Sequence, residues 1–99
     1  MYGLIGKMRV ATGKRDELLA ILNEATNGLP GCLSYIVARD PADTTAIWIT
    51  EVWTDAESHK ASLALPEVKA AIARAQPLIT GFDIHIETEP VSGVGLPVR

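Results

Sequence analysis

Glu51 is a carboxylate set in a strand-like run, Thr45 to Asp55, whose side chains are apolar at both parities: Ile47, Ile49 and Trp53 on one, Ala46, Trp48 and Val52 on the other. Buried among such neighbours, a carboxyl group has its pKa raised and can serve as acid or base. The alternative is a structural ion pair with Lys7 or Arg9 on a neighbouring strand. His59 follows on the next element, and an imidazole with an unperturbed pKa near ~6.5 suits proton transfer at neutral pH; its alternative is a solvent-facing helix histidine. Trp48 and Trp53 fall on opposite parities, so one can face a pocket and the other an interface. Either ring can stack on an aromatic ligand, and either can simply pack in the core. Tyr35 offers a phenolic hydroxyl on a second strand, with an amphipathic core role as its alternative. Ser62 offers a hydroxyl on the helix, but no partner in the sequence points to an activated nucleophile. His85 alternates with Phe82, Ile84 and Ile86, which predicts that it faces away from them, to solvent or to a dimer face.

Several other chemistries lack their residues. His59 and His85 stand 26 positions apart with Cys32 as the one thiol, so no metal-ligand spacing exists. Gly93-Val-Gly95 neither follows a strand nor opens a helix, so it is no phosphate loop. The nine Lys and Arg are scattered and the net charge is −3, which argues against nucleic acid. Cys32 cannot form an internal disulfide and reads as a small buried residue. No apolar run approaches ~18 residues and no leader-like segment opens the chain, so the expectation is a cytoplasmic protein with no membrane contact.

The elements that must position these groups follow from periodicity. Tyr2, Leu4, Met8 and Val10 share one parity of a first strand, and Gly6 inside it suggests a close approach or a bulge. Gly13 to Asn27 repeats Leu18, Ile21, Leu22 and Ala25 at helical spacing, and Asn27-Gly28 closes it. Leu33 to Arg39 is a second strand, and a short polar connection leads into the third, Thr45 to Asp55. Thr54 and Glu57 match a capping box. The helix they open is broken at Leu65-Pro66 into pieces near 55–64 and 66–75, because proline suits a first turn but not a helix interior. Thr80 to Thr88 is the fourth strand. Residues 90–99 form a tail whose Val91, Val94, Leu96 and Val98 predict that it lies on this chain or on a partner.

Strand, helix, strand, strand, helix, strand in 99 residues is one α+β domain, a ferredoxin-like βαββαβ fold. Its four-stranded antiparallel sheet carries both helices on one face. The other face would then be bare and partly apolar, and a homodimer packed sheet to sheet closes it most simply.

Four segments in this order carry a family resemblance. They are Gly13-Lys14-Arg15-Asp16-Glu17, Pro30-Gly31-Cys32-Leu33-Ser34-Tyr35, Glu51-x-Trp53, and Leu65-Pro66-Glu67-Val68. Together they resemble the antibiotic biosynthesis monooxygenase (ABM) family, quinol-monooxygenase-like, of the dimeric α/β-barrel superfamily, over nearly the whole chain. The resemblance implies a dimer that oxygenates a quinol or related phenolic or polyketide compound with molecular oxygen, without metal, flavin or haem. The candidate roles it suggests are His59 and Glu51 as acid–base groups, with Trp53, Trp48, Tyr35 and Ser62 around the substrate. Family members commonly carry a histidine nine positions after the strand-three tryptophan; here that position is Ser62, and His59 lies three residues earlier. A haem-degrading branch uses an asparagine in strand one and a tryptophan and histidine deeper in the helix, which this chain lacks. The other reading left open is a non-catalytic small-ligand-binding or accessory dimeric domain of the same fold, since fold alone does not fix function.

Overall fold

In the computed structural model, which describes residues 1–97, the chain runs β1 (Tyr2–Val10), α1 (Arg15–Ala25), β2 (Cys32–Arg39), β3 (Ala46–Trp53), α2 (Ala56–Ser62), α3 (Pro66–Ala75) and β4 (Ile79–Thr88). A single 3-10 turn, Gln76–Leu78, joins α3 to β4. The strands form one antiparallel sheet in the order β2-β3-β1-β4, the ferredoxin-like α+β arrangement. Both long helices lie on the same face. Leu18 and Ile21 of α1 and Ala71 and Ala75 of α3 share one buried cluster with Met8, Val10, Ile47 and Ile49 of the sheet.

The helix boundaries follow local chemistry. Asp16 and Glu17 occupy the first turn of α1, where the helix dipole favours anions. The cap of α2 is Asp55, whose carboxylate accepts the Ser58 amide at 2.7 Å. The expected Thr54–Glu57 capping box does not form: α2 starts one residue later, and the Thr54 hydroxyl instead meets the Ser58 hydroxyl at 3.1 Å. Pro66 opens α3 at its first position.

The two faces of the sheet separate the charges. Lys7 and Arg9 point away from the helices. Lys7 lies over the Trp48 ring and 3.8 Å from Asp40, and the Trp48 indole N–H donates to Asp40 at 2.9 Å. Arg9 bridges Asp43 and Asp83. The ion pair of Glu51 with Lys7 or Arg9 is therefore absent, because β3 places Glu51 on the opposite face. Trp48 belongs to this outer face too, alongside the exposed Ile36 and Ile86. The start of the tail lies here: a methyl group built on Gly3 would stand 2.9 Å from the Pro90 ring. Val91 and Val94 are exposed, Leu96 packs back over Gly93, and Val98 falls outside the described residues.

One irregularity overturns a sequence expectation. Along β1, Lys7 pairs with Ile84 but Met8 pairs with Phe82, so Asp83 is an extra residue in β4. Such a bulge breaks the alternation of faces. Phe82 and His85 consequently lie on the same, helix-facing side, opposite Met8 and Gly6, while Ile84 and Ile86 face outward.

The start of α2 is docked through Gly31. Its φ is +77°, a methyl group there would come within 2.5 Å of Ser58, and its carbonyl accepts the Thr54 amide at 2.9 Å. Gly28 also has a positive φ, +68°, but nothing lies near it. We expect Gly28→Ala to cost about 1 kcal/mol for the backbone alone and Gly31→Ala about 2–4 kcal/mol, since it adds a clash with α2. Chemical denaturation of both variants checks this; equal losses would show that α2 does not rest on Gly31.

Candidate active site

Between the sheet and the helices lies an open, mainly apolar cavity of ≈ 700 Å³. Its floor is the helix-facing side of β1, β3 and β4, including Leu4, Gly6 and Ile49, and its mouth carries the exposed Leu63, Ile72 and Phe82. Such concave apolar sites with a few polar groups are where small ligands bind.

The polar groups gather at one end. Glu51 faces inward from β3, paired across the sheet with Leu4 on one side and Tyr35 on the other. The indole N–H of the fully buried Trp53 donates to Glu51 Oε1 at 2.9 Å. His59 Nε2 stands 3.8 Å from the same oxygen. Among the described residues no hydrogen bond engages the other oxygen, Oε2. Since no fully buried side-chain oxygen among the described residues is left unpartnered and Glu51 lines the cavity, Oε2 is open to it. Burial pushes the Glu51 carboxyl above its ordinary value, against the hydrogen bond from Trp53 and the nearby His59 and His85, which act the other way. Burial likewise pushes the Tyr35 hydroxyl up, aided by the Glu51 charge, so it stays a proton donor.

His59 is held between two aromatic rings, Tyr2 at 5.6 Å and Trp53 at 5.3 Å, the latter edge-on. It lines the cavity with Ser62 instead of facing solvent. The reason is helical: three residues is nearly one turn, so positions 59 and 62 share a face. Ser62 is buried, and its hydroxyl donates to the His59 carbonyl at 2.6 Å, which fixes the helix at that turn.

Of the residues singled out in the sequence, Glu51, His59, Trp53, Tyr35 and Ser62 meet at this cavity and Trp48 does not. His85 joins them because of the β4 bulge. Alternation alone hides that; the sequence signs of irregularity are glycines, Gly81 two residues before the bulge in β4 and Gly6 on the strand across from His85. Among the described residues no three His, Cys, Asp or Glu side chains are grouped to hold a metal ion, and no helix is long and apolar enough to cross a membrane.

A profile of the antibiotic biosynthesis monooxygenase family matches residues 1–74. The chain belongs to that family. Its fold superposes with a TM-score of 0.94 on a provisionally named antibiotic biosynthesis monooxygenase from Chloroflexus aurantiacus J-10-fl. The two are 61% identical, over 97% of this chain and 98% of the other. A similarly named protein from Caulobacter crescentus CB15 shares the fold with a TM-score of 0.82 at 20% identity, over 92% of this chain and 90% of that one. Another, from Deinococcus radiodurans, gives a TM-score of 0.75 at 25% identity, over 100% and 99%. A search of curated proteins gives no match. In this chain the ABM fold places a half-buried acidic group beside a histidine at the end of an apolar chamber.

The raised pKa of Glu51 fixes the sign of its contribution to stability. Between its ordinary value of 4.5 and its higher folded value, the native state binds more protons than the unfolded chain, so stability falls as pH rises through that window. We expect Glu51→Gln, which keeps an acceptor for Trp53, to gain on the wild type as pH is raised from 4 towards neutrality. Urea denaturation of both proteins across that range measures the difference, which cancels the opposite trend from Asp43 and Asp83; a difference that moves the other way would mean that Glu51 is stabilised as an anion.

Proposed function

We propose that the protein is a cofactor-independent monooxygenase acting on a quinol or related phenolic compound, held in the cavity between sheet and helices. The observation that carries this reading is Glu51: a carboxyl raised by burial, hydrogen-bonded on one oxygen, open on the other, and beside His59. A neutral phenol gives up an electron to oxygen poorly, and a phenolate does so readily. The protein's part is to take the phenolic proton and hold the anion away from bulk water. Glu51 Oε2 is the acceptor, His59 shares the proton through Oε1, and the Tyr35 hydroxyl and Trp53 ring surround the substrate. The balance is simple for a quinol: quinol plus O2 gives hydroxyquinone plus water. One oxygen atom enters the ring, the other leaves as water, and all four electrons come from the substrate. The proton held by Glu51 and His59 returns when the O–O bond breaks.

Incubation of metal-free protein with quinols under labelled oxygen tests this. One labelled atom is expected in the product and one in water, with turnover lowered roughly 10²- to 10³-fold in Glu51→Gln and His59→Ala. Quinols that bind and come back unchanged would favour the non-catalytic binding domain instead.

A homodimer closed over the outer sheet face is part of the same proposal. Ile36 and Ile86 are exposed there next to a β3 whose Trp48 and Val52 are already half-covered. Sedimentation is expected to give a dimer at micromolar concentration and a monomer for Ile86→Asp. A monomeric wild type would contradict this closure.

A further inference from the structure

Gly6 sits in the middle of β1, where a glycine weakens a strand because it packs nothing and loses more backbone freedom on folding. Among the described residues nothing requires it. Its φ lies outside the left-handed region, and an added methyl group would meet only the Ile84 carbonyl oxygen, at 3.7 Å, an ordinary contact. Gly3 and Gly31 differ, since a methyl group there would collide with Thr88 or Ser58. What the missing side chain does leave is a notch in the cavity floor. Ile49 of β3 flanks the notch on one side and His85 of β4 on the other. With strands about 4.8 Å apart, these flanking Cα atoms stand about 10 Å from each other, a span that one or two fused aromatic rings fill. Glu51 lies one inward-facing position beyond Ile49 along β3, and His85 reaches the cavity lip only through the bulge at Asp83.

We propose that Gly6 is the seat of the substrate's aromatic ring and that His85 binds a second ring oxygen, across the ring from the one held by Glu51 and His59. Gly6 and His85 are then the residues by which the site prefers a quinol, with oxygens on opposite edges of the ring, over a simple phenol. This rests on the reading that the cavity takes a phenolic ligand.

Calorimetric titration under anaerobic conditions, with 1,4-dihydroxynaphthalene and 1-naphthol as probes, tests it. The wild type is expected to bind the diol roughly tenfold more tightly than the naphthol, the size of one hydrogen bond. In His85→Ala that preference falls to near unity while naphthol affinity holds. In Gly6→Ala both affinities drop severalfold, and further in Gly6→Val, with melting temperatures at or above that of the wild type. If Gly6→Val does not fold, Gly6→Ala carries the test, since its methyl group meets no clash. Unchanged affinities in the Gly6 variants, a diol preference that survives His85→Ala, or no binding of either probe to the wild type would each overturn the proposal. The labelled-oxygen assay separates this from the reaction itself. Affinities of this pattern without label in the product leave the ring seat standing and remove the oxygenase; label in the product with indifferent Gly6 and His85 variants does the reverse.

Discussion

A carboxyl group drawn partly out of water depends on whatever is aimed at it, and in this protein that is one indole N–H at 2.9 Å, with an imidazole 3.8 Å away. Glu51 meets Trp53 and His59 through a single oxygen and keeps the other for the cavity. Much of the local architecture serves that arrangement. The two-residue period of β3 puts Glu51 and Trp53 on the same face. The Asp55 cap and the docking of Ser58 against Gly31 set the start of α2, and His59 is the next residue. The hydrogen bond from Ser62 to the His59 carbonyl fixes the same turn from its other end.

The distribution of cations matters as much. A lysine or arginine beside Glu51 would favour its anion and lower its pKa. Lys7 and Arg9 are instead kept on the outer face, engaged by Asp40, Asp43 and Asp83. Those aspartates are held below the ordinary carboxylate range, Asp43 chiefly by the Thr45 amide and Arg9, Asp83 chiefly by Arg9. One sheet thus carries ordinary ion pairs on one side and a raised carboxyl on the other, separated by the thickness of a strand. Among the described residues the partners of Glu51 that can carry positive charge are histidines, which suits a site that must both take and return a proton.

The fold was legible because it depends on periodicities that a single sequence displays. Tyr2–Val10 reads as a strand with one buried face, and the proline at 66 splits the second helix where the structure splits it. The parity split of Trp48 and Trp53 was legible too, but not which of them faced the helices, because both parities of β3 are apolar. His59 looked displaced when counted as an offset from Trp53; read as an angle around a helix, the same three residues leave it facing the cavity. Two features escaped. The Asp83 bulge leaves the alternation of β4 unbroken to the eye, with Gly81 two residues earlier as its faint sign, so alternation puts His85 on the wrong side of Phe82. The partner of Glu51 escaped because choosing among nearby cations needs the face of each strand, and only the assembled sheet gives that. The catalytic reading itself lies beyond both fold and family, since relatives of known structure share the fold and the sequence does not name what fills the cavity.

The most direct test is a crystal structure of the protein soaked without oxygen in a 1,4-dihydroxyarene. The account predicts the ring over Gly6 and one phenolic oxygen within hydrogen-bond distance of Glu51 Oε2, with Oε1 still held by Trp53. A ring bound on the outer face beside Trp48, or a phenolic oxygen in the cavity that leaves Oε2 without contact, would contradict it.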